Sequence, residues 1–256
     1  MKIPQHLANH LQQYAVDNVI GLFPQPLFNT TLDMDADEVS YLKNAPLRDV
    51  GNGQSSEDPH ILLKTPKMYE QICSKADTFI SKLEYDFPVK MQTSWTNLHN
   101  KGDWCHNHIH TNSMISGVLF LDTPPNTGEF CLKTHNSSGS RLFTSVFTFN
   151  YKKSNIYNNE VYSVIPRTGQ CLMFPSYMIH YVTTNPQDLE RWTVSFNFFA
   201  KGSVGDGINE VQFPETNNQC HDIFPVSYTH LRAHETPEHL GWRVVREKKM
   251  GGGGGG

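Results

Sequence analysis

From Val89 to Phe199 the chain alternates short β-forming segments with turn residues, and this alternation restricts the fold more than any other feature. Residues 89–99, 114–123, 129–133, 141–151, 162–165, 171–174, 179–184 and 192–199 are rich in β-branched, aromatic and aliphatic side chains. Such residues suit a pleated, half-buried surface. Pro124-Pro-Asn-Thr-Gly128, Pro166-Arg-Thr-Gly169 and Asn185-Pro-Gln-Asp188 lie between them and carry the residue types that turns require. Short strands at near-regular spacing predict a β-sandwich or jelly roll.

The chain before Val89 is written differently. Residues 5–17 predict a short helix diluted by Gln and Asn, and 20–32 an extended edge segment whose prolines would break a central ladder. Residues 35–44 predict a surface helix, and the polar, Gly- and Ser-containing stretch 49–60 a loop. The clearest helix starts at Thr65-Pro-Lys-Met, with Thr65 suited to the N-cap and Pro66 to the first helical position. Met68, Ile72, Ala76, Phe79, Ile80 and Leu83 follow at helical spacing. That stripe is expected to pack on a sheet, so that the helices cover one outer face. The expected divisions are 1–88 (edge segment and helices), 89–201 (jelly-roll core carrying the site), 202–225 (a C-terminal extension) and 226–256.

The last of these stands apart. Val226-Ser-Tyr-Thr-His-Leu-Arg-Ala-His-Glu-Thr236 reads as a frame through a transposase-type sequencing adapter. Residues 237–250 read as a degraded index and primer, and 251–256 as a run of empty base calls. The segment is expected to be an assembly artefact, in preference to a basic tail with a glycine linker. It holds five Arg and Lys against three Glu, so the formal charge of −4 for the whole chain becomes −6 for residues 1–225. An acidic body argues against a nucleic-acid groove as the main surface. The five cysteines (Cys73, Cys105, Cys131, Cys171, Cys220) are odd in number and lack CxxC spacing. With no apolar leader and no run of membrane-spanning length, reduced thiols in a cytosol are expected. Asn29-Thr-Thr and Asn136-Ser-Ser are then chance matches to glycosylation sequons.

Chemistry concentrates in two places. The first is Asp103-Trp-Cys-His-Asn-His-Ile-His110, which sets His106, His108 and His110 at alternate positions before an apolar strand. Alternate residues of a strand share a face about 6.6 Å apart, so two adjacent imidazoles can converge on one ion with bonds of about 2.1 Å. Either His106 with His108 or His108 with His110 would be the pair, and a solvated His-rich loop is the alternative. The second is the segment in which Arg191, Thr193, Ser195 and Asn197 alternate with Trp192, Val194, Phe196 and Phe198. The aromatic face suits packing under the helices and leaves the polar face to line a cavity, unless that face is simply wet. His180, on an apolar segment eleven residues before Arg191, could complete a metal site beside an anion pocket. The planar fork of Arg suits a carboxylate.

Taken in order, Trp95-Thr-Asn97, His108-Ile-His110, Asn112-Ser113, Ser116-Gly-Val-Leu-Phe-Leu121, Phe174-Pro-Ser176, His180 and Arg191 through Phe196-Asn197 resemble the 2-oxoglutarate/Fe(II)-dependent oxygenases of phage and marine bacterial genomes. The resemblance spans roughly residues 23–201. It implies a mainly β fold with flanking helices, a double-stranded β-helix (jelly roll, cupin-like). It also implies Fe(II) near the barrel mouth, 2-oxoglutarate and O2 as co-substrates, and a cytosolic setting, the host's if the gene is a phage's. Carried over by position, His108 and His110 are the proximal ligands and His180 the distal one. Arg191 would hold the far carboxylate of 2-oxoglutarate, helped by Thr193 or Ser195. Asn97 would line the pocket, Trp95 would pack beside it, and Tyr177 would either reach the metal's open side or sit in a loop.

One departure stands out. The usual set is two histidines and a carboxylate, and His110 occupies the carboxylate place. Asp103 and Asp122, the nearest acids, are not spaced to pair with His108. A three-histidine set keeps three coordination positions open but lacks one negative charge, and His106 would then orient His108 or a bound water. The implied reaction hydroxylates an unidentified small-molecule or peptidyl substrate while decarboxylating 2-oxoglutarate. Two other classes stay open: a cupin-like three-histidine metalloenzyme (zinc, nickel or iron) without 2-oxoglutarate, and a non-catalytic jelly-roll module of a virion or glycan-binding kind.

Overall fold

The structure is a computed structural model that describes residues 24–134, 150, 152–155 and 157–213. Eleven of its strands build two antiparallel sheets. The strands are β1 (Phe28–Thr31), β2 (Leu47–Asp49), β3 (Gln54–Ser56), β4 (Val89–His99), β5 (Cys105–His108) and β6 (Ile115–Asp122). They continue with β7 (Phe130–Lys133), β8 (Val161–Val164), β9 (Gln170–Pro175), β10 (Ile179–Val182) and β11 (Arg191–Ala200). The larger sheet runs β1-β9-β6-β11-β4-β3-β2 and the smaller β5-β10-β7-β8. A hairpin of β12 (Gly202–Val204) and β13 (Val211–Phe213) follows. The helices α1 (Ala36–Lys43) and α2 (Pro66–Lys82) precede β4, with a 3-10 turn at Ile61–Lys64.

Two apolar layers hold these parts together. On the outer face of the large sheet, Leu119, Leu121, Val194, Phe196 and Phe198 form one cluster with Met68, Ile72, Ala76, Phe79 and Ile80 of α2. Between the sheets, Val118, Phe120, Phe130, Leu132, Leu172 and Phe174 form the other. Strand β6 is apolar on both sides because each side meets a different layer, so it reads as a continuous run and not an alternation. Strand β11 keeps the alternation over most of its length: Trp192, Val194, Phe196 and Phe198 join the helix layer, and Arg191, Thr193 and Ser195 face the cavity between the sheets.

Several sequence expectations need correction. Thr65 stands at the N-cap of α2, but its side chain makes no capping bond and its hydroxyl donates to the Leu62 carbonyl at 3.2 Å. The first-turn N–H groups of Lys67 and Met68 instead donate to the two carboxylate oxygens of Glu38, at 2.9 and 2.8 Å. Helix α1 is therefore not a mere surface helix, since it buries Glu38 and Leu42 against α2. The stretch expected as a loop over 49–60 contains β3 and the turn of the β2–β3 hairpin. The helix expected over 5–17, the strand over 141–151 apart from Asn150, and all residues from 214 onward lie outside the described residues.

Candidate active site

Strands β5 and β10 bring the histidines together. His108 and His180 are register partners, with ring centroids 4.2 Å apart. His110 lies two residues beyond the end of β5, where its backbone N–H donates to the Ser176 carbonyl at 3.1 Å. Ser176 is itself held by the hydroxyls of Ser113 and Ser116, at 2.7 and 2.8 Å, and Ser116 donates to Asn197. This polar chain fixes the turn that carries His110, and it gives Ser113, Ser116, Ser176 and Asn197 of the sequence pattern a physical role.

The imidazoles present their outer nitrogens to one point. Nδ1 of His108 meets the His106 carbonyl at 2.8 Å, and Nδ1 of His180 meets the Met178 carbonyl at 2.9 Å. A carbonyl accepts only, so each Nδ1 carries the proton and each Nε2 keeps its lone pair. Nε2 of His180 is 3.2 Å from Nε2 of His110, and one ligand atom from each of His108, His110 and His180 lies within 4.8 Å of the others. Burial, with the neighbouring imidazoles adding to it, lowers the pKa of His108, that of His110 to about 4 and that of His180 to about 3. The three are neutral at pH 7, the state in which imidazole ligates a metal.

The structure groups His108 and His110 with His180 and leaves His106 out of that group. The His106 ring is exposed, with an edge contact to Trp104 at 6.4 Å and a tilted one to His108 at 5.7 Å, and the hydrogen bond that orients His108 comes from the main-chain carbonyl of His106. Among the described residues no carboxylate joins the cluster. Asp103 accepts from the Asn100 N–H, and Asp122 pairs with Lys43 at 2.7 Å. Cys105 approaches Nδ1 of His108 to 3.8 Å, but burial pushes its thiol up to about 11, so it stays protonated.

A cavity of about 190 Å³ runs from this cluster to Arg191. Phe120, Phe130 and Phe174 line its apolar side, while Trp95 and the exposed Trp104 also border it. Arg191 is 1 % exposed. Its Nη1 donates to the Thr127 carbonyl at 2.8 Å, while Nη2 is buried with no hydrogen-bond partner. Burial lowers its pKa to about 10, which still leaves the cation intact at neutral pH. A buried cation with an idle donor and, among the described residues, no carboxylate partner is costly, and an anionic ligand would relieve it. Asn97 donates to Ser195 at 3.0 Å and to Thr193 at 3.4 Å, so these three tie β4 to β11 beside the arginine. Three neutral imidazoles with converging lone pairs and one idle guanidinium nitrogen fit a divalent metal with a dicarboxylate chelator.

Tyr177 does not reach the cavity; its hydroxyl donates to Oε1 of Gln25 at the surface. Among the lining residues that escaped the sequence reading are His99 and Trp104. His99 continues the period-two face of Trp95 and Asn97, and that spacing was the available signal. Trp104 carried none, because a tryptophan in a loop does not reveal which cavity it borders.

Residues 93–197 match the family model described as "Putative 2OG-Fe(II) oxygenase". No curated protein matches the chain in sequence. Among solved structures, an oxidoreductase of the 2OG-Fe(II) oxygenase family from Burkholderia pseudomallei is similar at 12 % identity and a TM-score of 0.49, covering 66 % of this chain and 83 % of its own. HygX from Streptomyces hygroscopicus, with nickel and 2-oxoglutarate bound, is similar at 11 % identity and a TM-score of 0.45 over 68 % and 82 % of the two chains. A Pseudomonas putida prolyl-4-hydroxylase is similar at 15 % identity and a TM-score of 0.44 over 68 % and 92 %. The family match runs from within β4 to within β11 and takes in the three histidines and Arg191, so the part of the chain that holds the candidate site is similar to the 2OG-Fe(II) oxygenases.

Proposed function

We propose that the protein hydroxylates a small-molecule or peptidyl substrate, with Fe(II) on His108, His110 and His180 and the distal carboxylate of 2-oxoglutarate on Arg191. The observation that carries this reading is that an idle, buried guanidinium nitrogen shares one cavity with three neutral, convergent imidazoles. When bound, iron and 2-oxoglutarate supply the activation of O2, with the co-substrate leaving as succinate and carbon dioxide.

The chain's own residues do the rest. His108 and His180 are locked in one tautomer by main-chain carbonyls, so their Nε2 lone pairs are committed before a metal arrives. The ligand set is uncharged, and a dianionic co-substrate therefore supplies the negative charge that a carboxylate ligand would otherwise bring. Arg191 fixes the far end of that dianion, with Asn97, Thr193 and Ser195 forming the polar wall beside it. Phe120, Phe130 and Phe174 exclude water from the reacting side. The four described cysteines are all free thiols, which supports a cytosolic setting. No described helix is long and apolar enough to cross a membrane.

The test is anaerobic titration of Fe(II) into the protein with and without 2-oxoglutarate, following the visible charge-transfer absorption of the chelate. The band is expected with the wild type and absent in Arg191→Ala and His180→Ala. Metal binding without a band would favour a three-histidine enzyme that does not use 2-oxoglutarate. Absence of metal binding would leave a non-catalytic module.

A further inference from the structure

His99 ends β4 directly opposite Arg191, which begins β11. Both line the cavity, and both are more than nine-tenths buried, at 8 % and 1 % exposure. Three buried side-chain polar atoms among the described residues lack a hydrogen-bond partner, and two of them are Nδ1 of His99 and Nη2 of Arg191. Native proteins leave few such atoms, and each calls for an explanation. Two on facing residues of one cavity call for a shared one.

The ring's orientation is fixed from behind. Gly53, in the turn of the β2–β3 hairpin, backs the Cδ2–Nε2 edge so closely that a Cβ there would stand 3.2 Å from Cδ2 and 3.5 Å from Nε2. Nδ1 lies on the other edge of the ring. The Asn185 side chain donates to the His99 carbonyl at 3.1 Å and holds the main chain at that point. Burial and the charge of Arg191 keep the imidazole neutral, so it can add a donor without adding a second buried cation.

We propose that His99 is a positioning residue for the co-substrate: its Nδ1–H donates to the same distal carboxylate that Nη2 of Arg191 binds, so β4 and β11 grip that group together. This rests on the reading of Arg191 given above. It also makes the far carboxylate, more than the metal-chelating end, the group by which the cavity chooses its 2-oxo acid.

Calorimetry on the anaerobic Fe(II) protein tests it, with 2-oxoglutarate and oxalate as the two ligands. Oxalate chelates a metal but has no distal carboxylate. His99→Leu is expected to weaken 2-oxoglutarate roughly tenfold to a hundredfold, the range for a hydrogen bond to a charged group, and to leave oxalate within about twofold. His99→Asn, whose amide nitrogen falls near the position of Nδ1, is expected to bind 2-oxoglutarate about tenfold tighter than His99→Gln, whose amide reaches past it. Equal loss of oxalate and 2-oxoglutarate in His99→Leu would make the role structural and overturn the proposal. So would equal affinities of the Asn and Gln variants, a comparison that holds even if the leucine variant fails to fold. If Arg191→Ala abolishes 2-oxoglutarate binding while His99→Leu leaves it within about twofold of the wild type, His99 alone is refuted. If the wild type binds oxalate but not 2-oxoglutarate, the reading of Arg191 falls, and His99 with it.

Discussion

Nε2 of His110 stands 3.2 Å from Nε2 of His180, although seventy positions separate the two residues in the chain. Bonds of about 2.1 Å meeting at right angles put two ligand nitrogens about 3.0 Å apart, so this pair is already set for neighbouring positions on one ion. His110→Ala and His180→Ala are each expected to lower Fe(II) affinity on the order of 100-fold or more, since even supporting residues account for 10- to 100-fold. His106→Ala should stay within about twofold of the wild type, because the hydrogen bond that orients His108 comes from the main-chain carbonyl of His106, which the substitution keeps. Anaerobic competition against a chromophoric chelator measures all three. A large loss in His106→Ala would show that its ring joins the metal.

Gly128 is the seat of Arg191. Its φ of +99° is a conformation that residues with a Cβ rarely adopt. A Cβ there would also lie 2.7 Å from Nη1 of Arg191 and 2.6 Å from the Thr183 carbonyl. Gly128→Ala is expected to destabilise the fold by about 1–3 kcal/mol. It should also displace the guanidinium and weaken 2-oxoglutarate more than it weakens Fe(II). Urea unfolding gives the first quantity and calorimetry the second. Unchanged 2-oxoglutarate affinity would mean that the guanidinium does not depend on this seat.

How much of this was legible depended on which interactions are local. Strand β4 and the two faces of β11 could be read directly, because an alternating pattern states both the element and its orientation. The Met68 to Ile80 stripe likewise announced a helix and the layer it meets. The pairing of His108 with His180 could not be read from spacing, since it arises from register between β5 and β10; the sequence offered His180 only as a residue that could complete a metal site. The placement of His110 rests on a serine chain running from Ser113 through Ser176 to Ser116, which no local pattern reveals. The cap of α2 failed for the same reason: Thr65 has the right residue type, but Glu38 arrives from another helix and takes the N–H groups.

That substitute cap gives the next prediction. Glu38 is buried and both its oxygens accept from the first turn of α2, where the helix dipole favours a negative charge. Glu38→Ala would leave the Lys67 and Met68 N–H groups without those acceptors, and is expected to cost about 1–3 kcal/mol. Glu38→Gln keeps one acceptor oxygen and should lose less. Because α2 covers the outer face of the large sheet, the loss should appear in urea midpoints while metal affinity in the folded protein stays unchanged. A shift in metal affinity would mean that the helix layer and the site are coupled.

Acid should unfold the metal-free protein early. Burial holds His99 and His180 at about 3 and His110 at about 4, against 6.5 in an exposed histidine. Below pH 6.5 the unfolded chain therefore binds protons that the native protein refuses, and stability falls as pH falls. The contribution of neutral burial is complete above about pH 6.5 and is lost progressively towards pH 3 to 4. Within that window each such histidine tilts the stability by up to about 1.4 kcal/mol per pH unit. Thermal unfolding of the metal-free protein should thus give a Tm that changes little from histidine titration between pH 7 and 8 and drops steeply from pH 6.5 to 5. His99→Asn should make that drop shallower, because one of the titrating rings is gone. With Fe(II) bound the midpoint should rise at pH 7 and lose that gain on acidification, as protons compete for His110 and His180. A metal-free Tm indifferent to pH across this window would mean that these imidazoles are not buried in the neutral form, and the convergent lone pairs at the site would have to be given up with them.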